Sequence, residues 1–229
     1  MQEADRYEWM RLRARRKVAK EIFIRDIFLS WYAKGINFRI DNIEKLIEWL
    51  KRETEGYDEI VTIGNSAGGY MAVICGCALH AKRIFSICGQ FSLSHHNGHT
   101  ATNPLLVKYG KEKFYENYRM IQKNTQIPVY YIYSHGVDHD CEQASYVEPL
   151  DNVRTIAVDS ARHGKTLNPF DFPVLFSMEQ EQLEGLFNAF AGRVVTADAV
   201  SIRIKGKIWL KKNKIMSKVV KIKTKFLYR

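Results

Sequence analysis

The sequence predicts an α/β fold: a mostly parallel sheet with helices on both faces. Two observations carry that expectation. Short, β-branched apolar runs at about 59–63, 83–88, 129–133 and 153–158 alternate with segments whose apolar residues recur at helical spacing. The chain has 229 residues, 46% of them hydrophobic and 12% aromatic, which suffices for one substantial core. One domain is expected over residues 1–195, followed by a basic tail over 196–229.

The elements follow in order. Residues 1–20 hold Arg11, Arg13, Arg15, Arg16, Lys17 and Lys20, which reads as an exposed helix with a solvated charged face. This stretch has no apolar core, so it is not a secretory signal. Glu21–Arg25 reads as a short strand ending at Asp26, and a loop over 27–36 contains Ser30-Trp31-Tyr32 and Gly35. Asp41–Leu50 is helical by its stripe at 43, 46, 47 and 50, with an Asp or Asn cap at its start. The strand at 59–63 leads into a helix over about 66–79. Strand 83–88 stops at Gly89. Residues 90–108 have no clear period and are rich in Ser, His and Asn, including His95, His96 and His99. Lys111–Gln122 is expected to be helical. After strand 129–133 comes the polar loop Ser134–Asp140, and after strand 153–158 the loop Asp159–Lys165 with His163. Gln180–Phe190 suits a closing helix. No internal repeat interrupts this alternation.

The net charge of +10 is unevenly spread. Eleven of the 35 Lys/Arg and none of the 25 Asp/Glu fall in 201–229, which leaves residues 1–200 with 24 basic and 25 acidic side chains. The tail therefore suits an anionic membrane surface, with Ile208, Ile215, Val219, Ile222 and Phe226 on one helical face. Simple solvation by its lysines is an equal reading, and nucleic acid is disfavoured because no motif for it is present. No apolar run is long enough to span a bilayer. The four cysteines (Cys75, Cys77, Cys88, Cys141) show neither CxxC spacing nor a disulfide framework, as expected of reduced thiols in the cytosol.

The chemistry centres on Gly64-Asn65-Ser66-Ala67-Gly68. A strand precedes this Gly-x-Ser-x-Gly and an apolar helix follows it, which is the setting of a strained turn that holds a nucleophilic serine clear of the sheet. Small residues are needed around such a turn, and Gly64, Ala67, Gly68 and Gly69 supply them. A phosphate-cradling loop would need Lys-Ser/Thr or a spaced Gly-x-Gly-x-x-Gly, and neither occurs.

A serine hydroxyl needs a base to take its proton, and the base needs an acid to hold its tautomer. After Ser66, an acidic loop follows strand 129–133 and His163 follows strand 153–158, the order Ser, Asp, His. Asp140 is favoured as the acid and Asp138 is the alternative; the other member of the pair is expected to cap a helix beginning near Cys141. In a parallel sheet the site lies at the carboxyl ends of the strands, where all of these residues fall. The Ala67 N–H is the expected oxyanion donor. His95, His96 and His99 lack a fourth ligand at suitable spacing, so no metal and no cofactor are expected. Trp31-Tyr32 reads mainly as a buried aromatic pair, with stacking on a sugar the rarer outcome.

Together the elbow, the Ser–Asp–His order and the strand spacing resemble the α/β-hydrolase superfamily over about residues 20–190. A narrower likeness is to bacterial hydrolase-like proteins associated with surface-polysaccharide biosynthesis. It rests on Ile24-Arg25-Asp26 with Ser30-Trp31-Tyr32 and Gly35, on Gly64–Tyr70, and on Asp140 with His163-Gly164. The resemblance implies an acyl-transfer site, that of an esterase, deacetylase or O-acetyltransferase, acting on a small-molecule or glycan ester. The rival expectation is a catalytically weak protein that keeps the fold and docks on a membrane or glycan-assembly complex through its basic tail. The resemblance also implies at least one strand ahead of 21–25, whose following loop gives the second oxyanion donor. Only about twenty residues precede 21–25 here, so that edge is expected to be divergent or missing.

Overall fold

In the computed structural model, residues 18–93 and 104–205 are described. Five parallel strands stand in the order β1 (Val61–Asn65), β2 (Arg83–Ile87), β3 (Val129–Ser134), β4 (Val153–Val158) and β5 (Val194–Val195). Strands that follow one another in sequence and lie side by side need a crossover each, and every one of these crossovers carries at least one helix. The fold is an open, all-parallel α/β sheet.

Side chains of a strand alternate between faces, so the sheet builds two cores. Phe85, Ile87, Tyr130, Ile132, Ile156 and Val158 face one way. They pack under α6 (Phe172–Leu175), α7 (Gln180–Phe190) and α8 (Ala197–Lys205), through Phe172, Leu175, Leu183, Leu186, Phe187 and Val200. Ile84, Val129, Tyr131 and Tyr133 face the other way. There they meet α2 (Ala67–Ala78), α4 (Asn117–Lys123) and α5 (Asp138–Ser145). β2 and β3 are buried along their whole length, as strands covered on both faces must be. Helix α1 (Ile43–Glu53) adds a third cluster: Ile43, Leu46 and Leu50 pack on Tyr70, Met71, Ile74 and Cys75 of α2. Its cap is Asn42, whose Oδ1 accepts the Lys45 N–H at 2.8 Å.

Three expectations need correction. Glu21–Arg25 is not a strand; Ile22 and Ile24 instead pack as irregular chain on the α1/α2 cluster, which leaves β1 at the edge of the sheet among the described residues. Tertiary packing outweighs the β-propensity of so short a run. The helix expected over 111–122 is broken into a 3-10 turn (Lys111–Lys113) and α4, with Phe114 extended between them. Helix α3 (Pro104–Tyr109) begins inside the stretch 90–108 read as aperiodic.

The segment read as a tail begins with α8, whose Val200 and Ser201 are fully buried. Asp171, at the N-terminus of α6, accepts from Ser201 Oγ and from Lys205 Nζ, a buried charge held by a pair and a hydrogen bond. Residues 206–229 and His95, His96 and His99 lie outside the described residues. Among the described residues no helix is long and apolar enough to cross a membrane.

Between the irregular segment and α1, one carboxylate organises the loop. Asp26 accepts the N–H groups of Phe28, Ser30 and Tyr32. Those bonds hold Leu29, Trp31 and Tyr32 at φ +49°, +56° and +64°, a region that side-chain-bearing residues rarely enter. Trp31 lies tilted against Tyr70, with ring centroids 5.8 Å apart, and Tyr32 is 7% exposed. Tyr32 thus belongs to the core, and Trp31 is half-buried beside it.

Candidate active site

The turn between β1 and α2 is strained as its sequence demands. Ser66 has φ +54° and ψ −120°. Its N–H donates to Ile87 O at 2.8 Å, and its carbonyl accepts the Tyr70 N–H at 3.0 Å, so both backbone groups are anchored while the side chain is not used as a cap. The glycines differ in what they do. A Cβ on Gly64 would stand 1.9 Å from Gly68 O, and one on Gly69 would stand 2.8 Å from Gly89 Cα. These two allow strand, turn and helix to touch. A Cβ on Gly68 would meet nothing within 4 Å, so its smallness is not sterically required.

The three side chains expected from the sequence come together. His163 Nε2 lies 2.8 Å from Ser66 Oγ, and His163 Nδ1 lies 2.6 Å from Asp140 Oδ1. With Nδ1–H donating to the carboxylate, the Nε2 lone pair faces the serine hydroxyl. Asp140 is 1% exposed, and its second oxygen accepts the Ser134 N–H at 3.3 Å. His163 is 37% exposed, which leaves the Ser66 side of the imidazole open. Asp138 is exposed in the first turn of α5 and does not pair with His163. The helix starts at Asp138 rather than near Cys141, and its cap residue is Val137, so neither aspartate is its cap.

The loop carrying His163 is tied to the sheet end. Ser134 Oγ donates to Arg162 O at 2.8 Å, and Gly136 N–H donates to Ser160 O at 3.1 Å. Gly164 has φ +73°, and a Cβ there would come within 3.1 Å of Asn65 Nδ2. The glycine next to the histidine is therefore favoured by its backbone, and a side chain there would also press on the Asn65 amide.

Ala67 opens α2, so its N–H has no helical carbonyl one turn back and lies at the positive end of the helix. Two residues were not singled out from the sequence. Ser134, at the end of β3, pins both the acid and the histidine loop. Cys88, just past β2 at φ +45°, lies with its sulfur 3.6 Å from Ser134 Oγ. The signal was available, since each follows a strand's last apolar residue, the same level as Ser66 and His163.

Cys88, Asp140 and His163 place ligand atoms within 4.8 Å of one another, close enough to be weighed as ligands of one metal ion. Burial, then Asp140, pushes the Cys88 thiol up to about 12, so without a metal beside it the group is a protonated, packed thiol. The His163 Nδ1 is already committed to Asp140. The donor set fits a packed thiol behind a hydrogen-bonded acid better than a metal.

The chain matches no protein-family model, no curated protein and no solved structure.

Proposed function

We propose that this chain is a serine esterase or acyltransferase of α/β-hydrolase type, acting on an ester of a sugar or glycan. The observation that carries the reading is the unbroken hydrogen-bond line Ser66–His163–Asp140 at a strained strand-to-helix turn. Ser66 Oγ attacks the ester carbonyl while His163 Nε2 takes its proton; the imidazolium that forms is stabilised by Asp140. The carbonyl oxygen, now negative, is met by the Ala67 N–H at the helix end. Collapse expels the alcohol, which receives the proton from His163. Water or a second hydroxyl then gives its proton to His163, attacks the acyl-enzyme and restores Ser66. The narrower resemblance to proteins of surface-polysaccharide biosynthesis supports a sugar hydroxyl as one of the alcohols.

The test is intact mass after incubation with a fluorophosphonate, on the wild type and on Ser66→Ala. One adduct on the wild type, absent from the variant, is expected. An unmodified wild type that is folded by circular dichroism overturns the proposal.

A further inference from the structure

Beside the Ser66–His163–Asp140 line lies a second polar group that this chemistry leaves unused. Gln90 sits just past β2, His139 is the second residue of α5, and Glu142 is nearly one turn further along that helix. All three stand at the carboxyl-end side of the sheet, and His139 directly precedes Asp140. The imidazole centroids of His139 and His163 are 6.5 Å apart, so the two groups are neighbours.

Within the group the donors and acceptors do not balance. The amide nitrogen of Gln90 contacts His139 Nε2. An amide nitrogen donates, so Nε2 accepts, and a neutral imidazole then carries its hydrogen on Nδ1. Burial holds the His139 pKa below its usual value, consistent with the neutral ring. Its Nδ1–H points toward Glu142 Oε2 at 3.7 Å, too far for a hydrogen bond. Among the described residues, Gln90 Oε1, His139 Nδ1 and Glu142 Oε2 are buried with no hydrogen-bond partner. Gln90 as a whole is 9% exposed, and the His139 and Glu142 side chains are 13% and 24% exposed. Buried polar atoms without partners are costly, and native proteins retain them where a ligand or water completes the set.

The unmatched set is two acceptors and one donor. A hydroxyl seated to one side of the His139–Glu142 pair, about 2.8 Å from each, accepts from Nδ1–H and donates to Oε2, bridging the 3.7 Å gap; a neighbouring hydroxyl donates to Gln90 Oε1. We propose that Gln90, His139 and Glu142 form a polyol-binding subsite next to the nucleophile, which holds the sugar or polyol alcohol of the ester. Adjacent hydroxyls fit this set; a carboxylate or phosphate would face Glu142 and two lone pairs and be repelled. The subsite rests on the acyl-transfer reading for its purpose, though its occupancy by a polyol does not depend on turnover.

The experiment uses full-length Ser66→Ala protein with 15N-labelled histidine, observed by NMR. Glycerol, ribitol and methyl α-glucopyranoside are titrated, with 1-propanol as the apolar alcohol control. His139 is expected as the neutral ring protonated at Nδ1, with a saturable shift on adding at least one polyol and none on adding 1-propanol. Glu142→Gln and Gln90→Met are each expected to weaken that polyol at least tenfold; the other histidine signals report whether each variant is folded. No saturable shift with any polyol, or an equal response to 1-propanol, overturns the subsite. So does unchanged affinity in both variants. A fluorophosphonate that fails on the wild type while the polyol still binds sinks the nucleophile reading and leaves the subsite standing.

Discussion

At the scale of single residues, the arrangement separates two aspartates that the sequence leaves nearly equal. Asp140 is buried against His163 Nδ1 and the Ser134 N–H, while Asp138 points into solvent from the same helical turn. Asp140→Asn retains the shape but donates where the imidazole needs an acceptor, so the ring turns to the wrong tautomer. Its fluorophosphonate labelling rate is expected to fall by about 10³-fold or more, while Asp138→Asn labels within about twofold of wild type. Equal rates for the two variants would reassign the acid. The thiols give a second test. Burial pushes Cys75, Cys77 and Cys88 up to about 12, so their reactive thiolates form only far above neutrality. Iodoacetamide at pH 8 is expected to modify at most the half-buried Cys141 of the folded protein, read by peptide mass. Rapid alkylation of Cys88 would show that the acid's surroundings open to solvent. The order Ser, Asp, His was readable because each falls just beyond a strand. The choice between the two aspartates was not, because two residues along a helix change a side chain's direction by about 200°.

Among the elements, the junction of β1 with α2 depends on contact between backbones. Gly64→Ala drives a methyl group into Gly68 O, and neither partner is a flexible side chain. A loss of about 3 kcal/mol or more is expected from urea denaturation, with loss of labelling. Gly68→Ala meets open space in the first turn of α2 and is expected to stabilise by up to about 1 kcal/mol, the helix-propensity difference. The reverse order would mean that the turn is built differently. The strands β2, β3 and β4 were legible because β-branched and aromatic residues dominate each of them, as suits strands that run through the middle of a covered sheet. Residues 21–25 carry the same kind of local pattern but pair with no strand among the described residues, and pairing is a property of two segments. The break at Phe114 was hidden for a related reason. That residue packs on the α1/α2 cluster, and Tyr115 donates its N–H to the Tyr70 hydroxyl, so tertiary contacts interrupt a run with helical spacing.

For the whole molecule, the division between domain and basic tail does not fall where the charge changes. Composition changes near residue 200, yet α8 runs through that point and closes one face of the sheet with Val200, Asp171–Lys205 and Asp171–Ser201. Cutting after Val195 strips a buried carboxylate of its partners and uncovers the core beneath α8; a loss of about 3–5 kcal/mol is expected by denaturation. Cutting after Lys205 retains these contacts and removes nine of the eleven basic residues beyond 200. Only the second truncation separates docking on anionic vesicles from stability. If both truncated chains unfold at the same urea concentration, α8 does not contribute as described. Charge locates what is solvated, and here one helix mixes a buried apolar side with a cationic end, which composition averages away.

Asp26 has a consequence for rigidity as well as for local shape. Its three accepted N–H groups fix the Phe28–Tyr32 turn before any ligand arrives, and Trp31 and Tyr70 carry that rigidity to the first turn of the helix behind Ser66. The conformational entropy of this turn is therefore lost once, during folding.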